Sequence, residues 1–509
     1  SIDESAAFWQ ALADCCDVRF DKAPDRVLAR PANIMDAGWF EGSELNYAAH
    51  LLRHQGDRAA LVFCGENGAR RELSFDELRA AVAAVAGGLR AAGVTRGDRV
   101  GGFLPNCPEA IVAMLATTSI GATWSSCSPD FGVNGVVDRF GQIEPKVLFT
   151  TDGYYYNGKR IDSRPVVAGI ADAIPSIRTI VVAPFLEDGD GPAEGCLAWD
   201  DFCVPGQPLT FAAVPFNHPL YIMYSSGTTG APKCIVHGHG GSLLQHLKEH
   251  VLHTDLTADD RLFYFTTCGW MMWNWLASGL ASGATLILFD GSPFFDDGHG
   301  LWRMAEREGV TVFGTSAKYI AALDKAGVRP AEDYRLPHLR AVLSTGSPLA
   351  PASFDFVYDA IGKDLMLASI AGGTDILSCF ILGNPMLPVR RGEIQCRGLG
   401  MAVEIFDGDG NAVVGEQGEL VCTRPFPSSP VGFWNDPEGA RYRAAYFERF
   451  PGVWAHGDYA EVTAAGGFII HGRSDAVLNP GGVRIGTSEI YRQVEKLDEV
   501  IESIAIGQN

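Results

Sequence analysis

The sequence predicts an α/β fold: a large N-terminal domain built from two mostly parallel α/β sheet subdomains, joined to a small β-rich subdomain. Three observations carry this prediction. Helical and strand-like segments alternate, several apolar strands end in loops of Gly, Ser and Thr, and shorter strands follow from about residue 392. Alternation of this kind is typical of β-α-β units with parallel strands. A chain of 509 residues is long enough for two or three subdomains.

The clearest β-α-β unit lies in the first third of the chain. Ser74 and Glu77 form the pattern of a capping box, in which each side chain satisfies a free amide at the start of a helix. Apolar residues then recur at helical spacing, and Gly93 supplies a stop. The elements predicted next are a strand at 99–104, a helix at 108–119 and a strand at 146–150.

Three apolar strands predict where a ligand binds. The strands at 220–224, 310–313 and 341–343 each run into a loop of Gly, Ser and Thr. Ligands of open α/β sheets bind at such carboxyl ends, so we expect one shared site there. Beyond residue 392 the strands at 402–406 and 418–422 flank an Asp-Gly-Asp-Gly turn, which indicates a hairpin in the β-rich part.

Composition argues against several classes of protein. The formal net charge is −21 and no long basic run interrupts it, so a nucleic-acid partner is not expected. None of the twelve cysteines forms a Cys-x-x-Cys pair, which argues against a zinc or redox pair and favours reduced thiols in the cytoplasm. The uncharged stretch 262–289 is long enough to span a bilayer. Its glycines and its strand-like end predict a buried helix and a central parallel strand instead, and no membrane association.

The strongest motif is the segment 224–233, Tyr-Ser-Ser-Gly-Thr-Thr-Gly-Ala-Pro-Lys. Its two glycines allow the backbone to close around an anion, its hydroxyls add donors, and Lys233 adds a charge suited to phosphate. The glycine spacing is shorter than in a Walker loop, and Cys234 follows where Ser or Thr would hold magnesium. On chemistry alone a plain turn is the alternative. The predicted nucleotide-binding members are Ser225, Ser226, Gly227, Thr228, Thr229, Gly230 and Lys233.

As a whole string, this segment resembles the phosphate loop of the adenylate-forming superfamily, which contains acyl-CoA synthetases, peptide-synthetase adenylation domains and luciferases. Further segments resemble that superfamily in the expected order along nearly the whole chain. Taken alone, each would be read as a loop, a helix cap or a surface ion pair. The resemblance implies an adenine contact at Gly346, Ser347 and Pro348, a metal-binding segment at Gly373, Thr374 and Asp375, ribose contacts at Asp458 and Arg473, a hinge at Asp475, and a further nucleotide contact at Arg484.

The flanking segments 39–42, 140–145, 269–275 and 430–434 resemble the acetoacetate-activating subgroup of the acyl-CoA synthetases. Gly372 stands where acetate-using relatives place a Trp that closes the acyl pocket. Loss of an indole is expected to free volume for the longer acid, although a neighbouring aromatic such as Trp273 could refill it. The resemblance implies an acyl pocket at Trp270, Met271, Met272, Thr345 and Gly372.

The resemblance also implies an activity. It is that of an AMP-forming acid–thiol ligase, which activates acetoacetate with ATP as acetoacetyl-AMP and transfers the acyl group to coenzyme A. The implied catalytic residues are Lys233, Thr229 and Asp375, with Asp375 as ligand of Mg²⁺. Two alternatives stay open: a synthetase for propionate or butyrate, and a non-catalytic ATP or acyl-adenylate binder. Implied contacts to coenzyme A are Lys159, Arg160, Gly481 and Gly482, although solvated surface charges are the alternative for the first two.

The resemblance divides the chain into a large AMP-binding domain at 1–473, with a β-rich subdomain at 392–473, and a hinge and lid segment at 474–509. Relatives carry a Lys in a Gly-Lys loop near the C-terminus of an α+β lid. No Lys follows Lys496 before the chain stops at Asn509. We therefore expect most of the lid to be absent, so that this chain binds ATP yet adenylates poorly.

Overall fold

Two large sheets form the body of the chain. The computed structural model describes residues 1–187, 189, 191–225 and 231–474, with positions 477–478, 485–486 and 494 beyond them. Most neighbouring strands are parallel, as predicted. The eight-stranded sheet has the spatial order Leu197–Ala198, Thr179–Ala183, Val147–Thr151, Arg99–Phe103, Thr123–Cys127, Pro219–Ser225, Lys233–Gly238 and Gly432–Phe433. The seven-stranded sheet has the order Met366–Ser369, Ala341–Thr345, Val312–Ser316, Arg261–Tyr264, Thr285–Asp290, Ala59–Gly65 and Arg70–Ser74.

The predicted phosphate loop joins two antiparallel neighbours of the eight-stranded sheet. The strand Pro219–Ser225 enters the loop, and the strand Lys233–Gly238 returns from it. Their register pairs Ser225 with Lys233, so both ends of the loop lie at one point on the sheet edge. The strand therefore fixes Lys233, although positions 226–230 lie outside the described residues.

Helices cover both faces of the two sheets. The capping box is confirmed: the Ser74 hydroxyl accepts from the amide of Glu77, and the Glu77 carboxylate accepts from the amide of Ser74. The helices are Ser5–Cys15, Tyr47–Leu51, Phe75–Ala91, Pro108–Ser119, Val133–Ile143, Arg164–Ala173, Trp199–Phe202, His239–Leu247, Met271–Ser278, Gly300–Glu308, Ala317–Ala326, Pro330–Asp333, Pro351–Phe356 and Ala440–Tyr446, with π-helical turns at Lys248–His253 and Val357–Ile361 and 3₁₀ turns at Gly279–Ser282 and Phe295–Gly298.

The cores follow from the alternation of side chains along the strands. In the seven-stranded sheet, Leu286 and Leu288 face the largest buried cluster, whereas Ile287 faces a second cluster on the other side. The largest cluster also includes residues from one face of the eight-stranded sheet and from the helices Phe75–Ala91 and Pro108–Ser119. These helices thus lie between the sheets, and the body of the chain has alternating layers of helix and sheet.

The chain after residue 370 is mostly antiparallel. The shorter strands predicted after residue 392 are observed, and they form a four-stranded antiparallel sheet. No helix in the described part of the chain is both long and apolar enough to cross a membrane. The uncharged stretch 262–289 instead holds the helix Met271–Ser278 and the inner strand Thr285–Asp290, as predicted. The antiparallel strands are Ala371–Gly373, Ser378–Leu382 and Cys396–Arg397 in one sheet, and Val403–Phe406, Gln417–Cys422, Trp454–Val462 and Phe468–Arg473 in the other.

The remaining strands form small two-stranded ribbons. They pair Arg26–Ala29 with Gly38–Glu41, Glu44–Leu45 with Val214–Pro215, Gly153–Tyr156 with Lys159–Asp162, and Val477–Leu478 with Ile485–Gly486.

Candidate nucleotide and acyl site

A cavity of about 370 Å³ opens at the carboxyl ends of the seven-stranded sheet. Four parallel strands of that sheet run into its lining. The two antiparallel sheets that follow residue 370 supply further lining residues. This position agrees with the rule that ligands of open α/β sheets bind at the carboxyl ends of the strands. The lining contains these predicted residues: Trp270, Met271, Met272, Thr345, Gly346, Ser347, Pro348, Gly372, Gly373, Thr374, Asp458 and Arg473.

The predicted ribose contacts form an ion pair on neighbouring strands. Asp458 and Arg473 face each other across the antiparallel pair Trp454–Val462 and Phe468–Arg473, with Arg473 Nη1 2.9 Å from Asp458 Oδ1. His456 Nε2 lies 3.5 Å from the other oxygen, Asp458 Oδ2. Both members of the pair are largely buried. A carboxylate held in this way at the cavity edge offers its oxygens as acceptors for hydroxyl groups.

Lys233 and Asp375, the predicted phosphate and metal residues, lie beside each other. Lys233 Nζ is 3.4 Å from Asp375 Oδ1, and the hydroxyl of Tyr446 donates to the same oxygen at 2.5 Å. The Tyr446 ring lies under the ammonium group, with its centroid 5.2 Å from Lys233 Nζ. It also stacks on Trp454 at 3.8 Å. Three elements, a strand, a turn and the helix Ala440–Tyr446, therefore meet at one carboxylate.

A buried imidazole supports the segment that carries Asp375. His237 Nε2 donates to the carbonyl oxygen of Thr374 at 2.9 Å. Burial lowers the pKa of His237 to about 4, so the ring is neutral at neutral pH. A second histidine binds the same segment two residues after Asp375, where the carbonyl oxygen of Leu377 accepts from His246 Nε2 at 2.7 Å. The sequence does not mark these histidines, because they follow no motif.

Gly372 lines the cavity, and the structure gives a further reason for a glycine at this position. A Cβ atom at Gly372 would lie 2.2 Å from the carbonyl oxygen of Ser378 and 2.6 Å from Cα of Cys379. The backbone of the strand Ser378–Leu382 therefore occupies the place of a side chain at position 372. Glycine is favoured here by the close approach of two strands, and Gly372 borders the open volume of the cavity.

Several predicted residues lie away from the cavity or outside the described part of the chain. Lys159 and Arg160 are exposed on the strand Lys159–Asp162 of a small ribbon and do not line the cavity. Ser225 is buried at the end of its strand. The predicted residues outside the described part are Ser226, Gly227, Thr228, Thr229, Gly230, Asp475, Gly481, Gly482 and Arg484.

The cavity also includes residues that the sequence analysis did not identify. Beside the cavity, Tyr446 has the clearest role through its hydrogen bond to Asp375, although neither residue belongs to the cavity lining. Its only signal in the sequence is helical spacing with Tyr442, which predicts burial and not a site. The unpredicted lining residues are Tyr264, Phe265, Thr266, Thr267, Thr315, Ser316, Ser369, Ile370, Ala371, Ser378, Cys379, Ile394 and Ile470.

This fold and this cavity point to the class of AMP-binding enzymes. The family model described as "AMP-binding enzyme" matches residues 48–429, and that of the acetyl-coenzyme A synthetase N-terminus matches residues 1–51. Together the two matches extend from the first residue into the antiparallel region.

Individual relatives narrow the class. An acetoacetyl-coenzyme A synthetase of Rhizobium meliloti (strain 1021) is 56% identical over 514 residues, which cover 100% of this chain and 79% of the relative. The acetoacetyl-CoA synthetase of Mus musculus is 48% identical over 523 residues, 100% of this chain and 78% of the relative. A solved acetoacetyl-CoA synthetase from Streptomyces lividans superposes with a TM-score of 0.91 at 48% identity, covering 100% of this chain and 79% of that one. The chain belongs to the AMP-binding enzyme family, in its acetoacetyl-CoA synthetase branch.

Proposed function

We propose that this protein is an AMP-forming acid–thiol ligase that activates acetoacetate. In the first step a carboxylate oxygen of acetoacetate attacks the α-phosphate of ATP, which gives acetoacetyl-AMP and pyrophosphate. In the second step the thiol of coenzyme A attacks the acyl carbon and loses its proton. The bond between the acyl carbon and the phosphate oxygen breaks, and AMP leaves. Neither step needs a covalent enzyme intermediate, so the protein contributes orientation and charge neutralisation.

One observation carries this proposal. The predicted acyl-side residues Met271 and Met272 and the predicted ribose pair of Asp458 and Arg473 line the same cavity. An acid and the ribose of a nucleotide would therefore be held next to each other, which the transfer of an adenylyl group requires. The family membership of the chain supports the same reaction.

Several contacts in the structure support the proposed nucleotide contacts. Asp458 would accept hydrogen bonds from the ribose hydroxyls, with Arg473 holding its carboxylate in place. Gly346 has φ of +92°, a conformation suited to glycine, and it begins the Gly-Ser-Pro turn proposed to contact adenine. Lys233, with Thr228 and Thr229 of the adjoining loop, would hold the β- and γ-phosphates, the lysine by its charge and the threonines through their hydroxyls.

The residues present fit a magnesium ion. Asp375 offers a carboxylate, the ligand type that Mg²⁺ prefers, and it lies beside the Lys233 ammonium proposed to meet the phosphates. When bound, Mg²⁺ would offset charge on the phosphate oxygens of ATP. The role of the chain is to hold the carboxylate: Tyr446 donates to Asp375 Oδ1, and His237 fixes the neighbouring carbonyl of Thr374.

Further assignments belong to the same proposal. Residues 1–473 would form the large domain, and 474–509 a hinge at Asp475 and the start of a lid. Lys159 and Arg160 would meet the 3′-phosphate of coenzyme A, and Gly481 and Gly482 are proposed as further contacts to coenzyme A. We also propose a cytoplasmic location, since all twelve cysteines are free thiols.

The test is ATP- and CoA-dependent release of AMP by the purified full-length protein, with acetoacetate, acetate, propionate and butyrate compared. We expect the highest kcat/KM for acetoacetate. A higher kcat/KM for a saturated acid would show that this acid, and not acetoacetate, is the substrate, and would leave the proposed reaction class unchanged. No release of AMP with any of the four acids, together with measurable ATP binding, would reduce the protein to a nucleotide binder.

A further inference from the structure

A buried carboxylate lies behind the acyl end of the cavity. Glu249, in the π-helical turn Lys248–His253, is about 1% exposed and does not touch the cavity itself. One oxygen, Oε1, accepts from the hydroxyl of Ser378 and from the amide of Cys379 at 3.3 Å. The other oxygen, Oε2, accepts from the indole Nε1 of Trp275 at 2.9 Å. None of the sequence motifs includes this residue.

The partners of Glu249 belong to two different walls of the cavity. Ser378 and Cys379 line it directly, on the strand whose backbone fills the place of a side chain at Gly372. Trp275 lies on the helix Met271–Ser278, three and four residues after Met272 and Met271, which line the opposite wall. Residues at these spacings share a face of a helix. The carboxylate therefore connects both proposed walls of the acyl pocket through its two oxygens.

The surroundings keep this carboxylate in one orientation. Gln245 Nε2 donates to Oε1 at 3.2 Å, and Lys248 Nζ lies 3.6 Å from the same oxygen. Lys248 is also fully buried, and burial lowers its pKa. An ion in such a place is costly unless charge and hydrogen bonds compensate it. Here a cation and four donors do so, and rotation of the carboxylate would break several of these bonds at once.

We propose that Glu249 is a positioning residue that fixes the separation of the Ser378–Cys379 strand from the Met271–Met272 helix, and so sets the width of the acyl pocket and with it the preference between acetoacetyl and butyryl groups. The proposal rests on the proposed function and identifies what sets its substrate preference. A hydrogen bond to a charged group is stronger than a neutral one, and three donors from two walls converge on this one carboxylate. Pocket width therefore depends on a residue that the substrate does not touch.

The experiment measures the affinity for two non-hydrolysable adenylate mimics, 5′-O-sulfamoyladenosine bearing either an acetoacetyl or a butyryl group. Calorimetry compares the wild type with Glu249→Gln, which keeps the shape and removes the charge. We expect the preference for the acetoacetyl mimic to narrow by about tenfold, and the affinity for AMP to change by less than about twofold. Two milder variants, Ser378→Ala and Trp275→Phe, each remove one donor and should narrow the preference by about threefold.

The matched control is Glu308→Gln, a carboxylate with a similarly buried side chain that pairs with Arg70 and Arg261 away from the cavity. It should leave the ratio of the two affinities unchanged. An unchanged ratio in Glu249→Gln, or an equal loss of AMP affinity, would overturn the proposal, since a general structural role weakens all ligands together. Because binding needs no turnover, absence of AMP release by the wild type would refute the proposed function separately.

Discussion

The hydroxyl of Tyr446 and the ammonium group of Lys233 meet at a single atom, Oδ1 of Asp375. Tyr446 donates at 2.5 Å, and Lys233 Nζ lies 3.4 Å from that oxygen. The proposed phosphate residue and the proposed metal residue thus form an ion pair with each other. On the proposed function, Lys233 would turn to the phosphates of ATP and Asp375 would hold the metal, while the hydrogen bond from Tyr446 would keep the carboxylate in position.

Tyr446→Phe should weaken the binding of Mg·ATP by about tenfold, because a hydrogen bond to a carboxylate is lost while the ring remains stacked on Trp454. The affinity for AMP, which has no β- or γ-phosphate, should stay within about twofold. Calorimetry with both nucleotides measures the difference. Tyr442→Phe is the control, since it removes a buried hydroxyl from the same helix. Equal weakening of ATP and AMP would contradict the role assigned to Tyr446.

Lys233→Met should reduce ATP affinity by about 100-fold, since it removes a positive charge from the proposed phosphate site. AMP affinity should fall far less, because AMP has no β- or γ-phosphate. The exposed Lys363 provides a matched control as Lys363→Met. If the two lysine variants bind ATP equally well, Lys233 does not contact the phosphates.

Gly372→Ala should destabilise the protein by about 1–3 kcal/mol, because the new methyl group overlaps the carbonyl oxygen of Ser378. A lower midpoint of thermal unfolding and a lower kcat/KM for acetoacetate are both expected. Gly141→Ala serves for comparison: that glycine lies in the helix Val133–Ile143, and the nearest atom to its added Cβ is 3.8 Å away. A fully stable and active Gly372→Ala protein would show that the strand moves without cost.

Acid should destabilise the protein through its buried histidines. Burial lowers the pKa of His253 to about 4, and the ring donates from Nδ1 to the carbonyl of Gly383 and accepts at Nε2 from the amide of Leu399. The unfolded chain takes up a proton near pH 6.5 and the folded chain only near pH 4. Stability is therefore complete above about pH 6.5 and decreases as the pH falls towards 4.

His253→Gln keeps a donor and an acceptor but removes the titration. Thermal unfolding measures the free energy of unfolding at pH 7 and pH 5. Between these two values it should fall by about 2 kcal/mol less in this variant than in the wild type. His338→Gln, at an exposed position, should leave the loss as it is in the wild type. A loss in His253→Gln as large as in the wild type would mean that other groups cause the acid sensitivity.

Local patterns in the sequence predicted the parts of the fold that depend on local physics. The capping box of Ser74 and Glu77 and the helix after it were predicted correctly, because neighbouring residues decide them. The strand predicted at 146–150 is observed at Val147–Thr151, a shift of one residue at its ends. The acyl and ribose contacts were predicted from resemblance, and the structure brings the residues proposed for them to one cavity.

The contacts that support the site could not be predicted in this way. Glu249 and Ser378 are 129 positions apart, and Tyr446 and Asp375 are 71 positions apart. Each lies in a segment whose pattern indicates a buried helix or strand and gives no sign of a polar partner. The reason for a glycine at position 372 was likewise hidden, since it depends on where a second strand passes.

The contact between Gly372 and the backbone of Ser378 restricts how this pocket can evolve. A wall made of side chains can be reshaped by one mutation, as each residue is exchanged for a smaller or larger one. A wall made of main chain offers no such residue, because every amino acid carries the same carbonyl group. A lineage that enlarges the pocket at this point therefore has to shift a whole strand, through changes at several positions that are deleterious one at a time. This part of the pocket is accordingly expected to change more rarely than the part lined by Met271 and Met272.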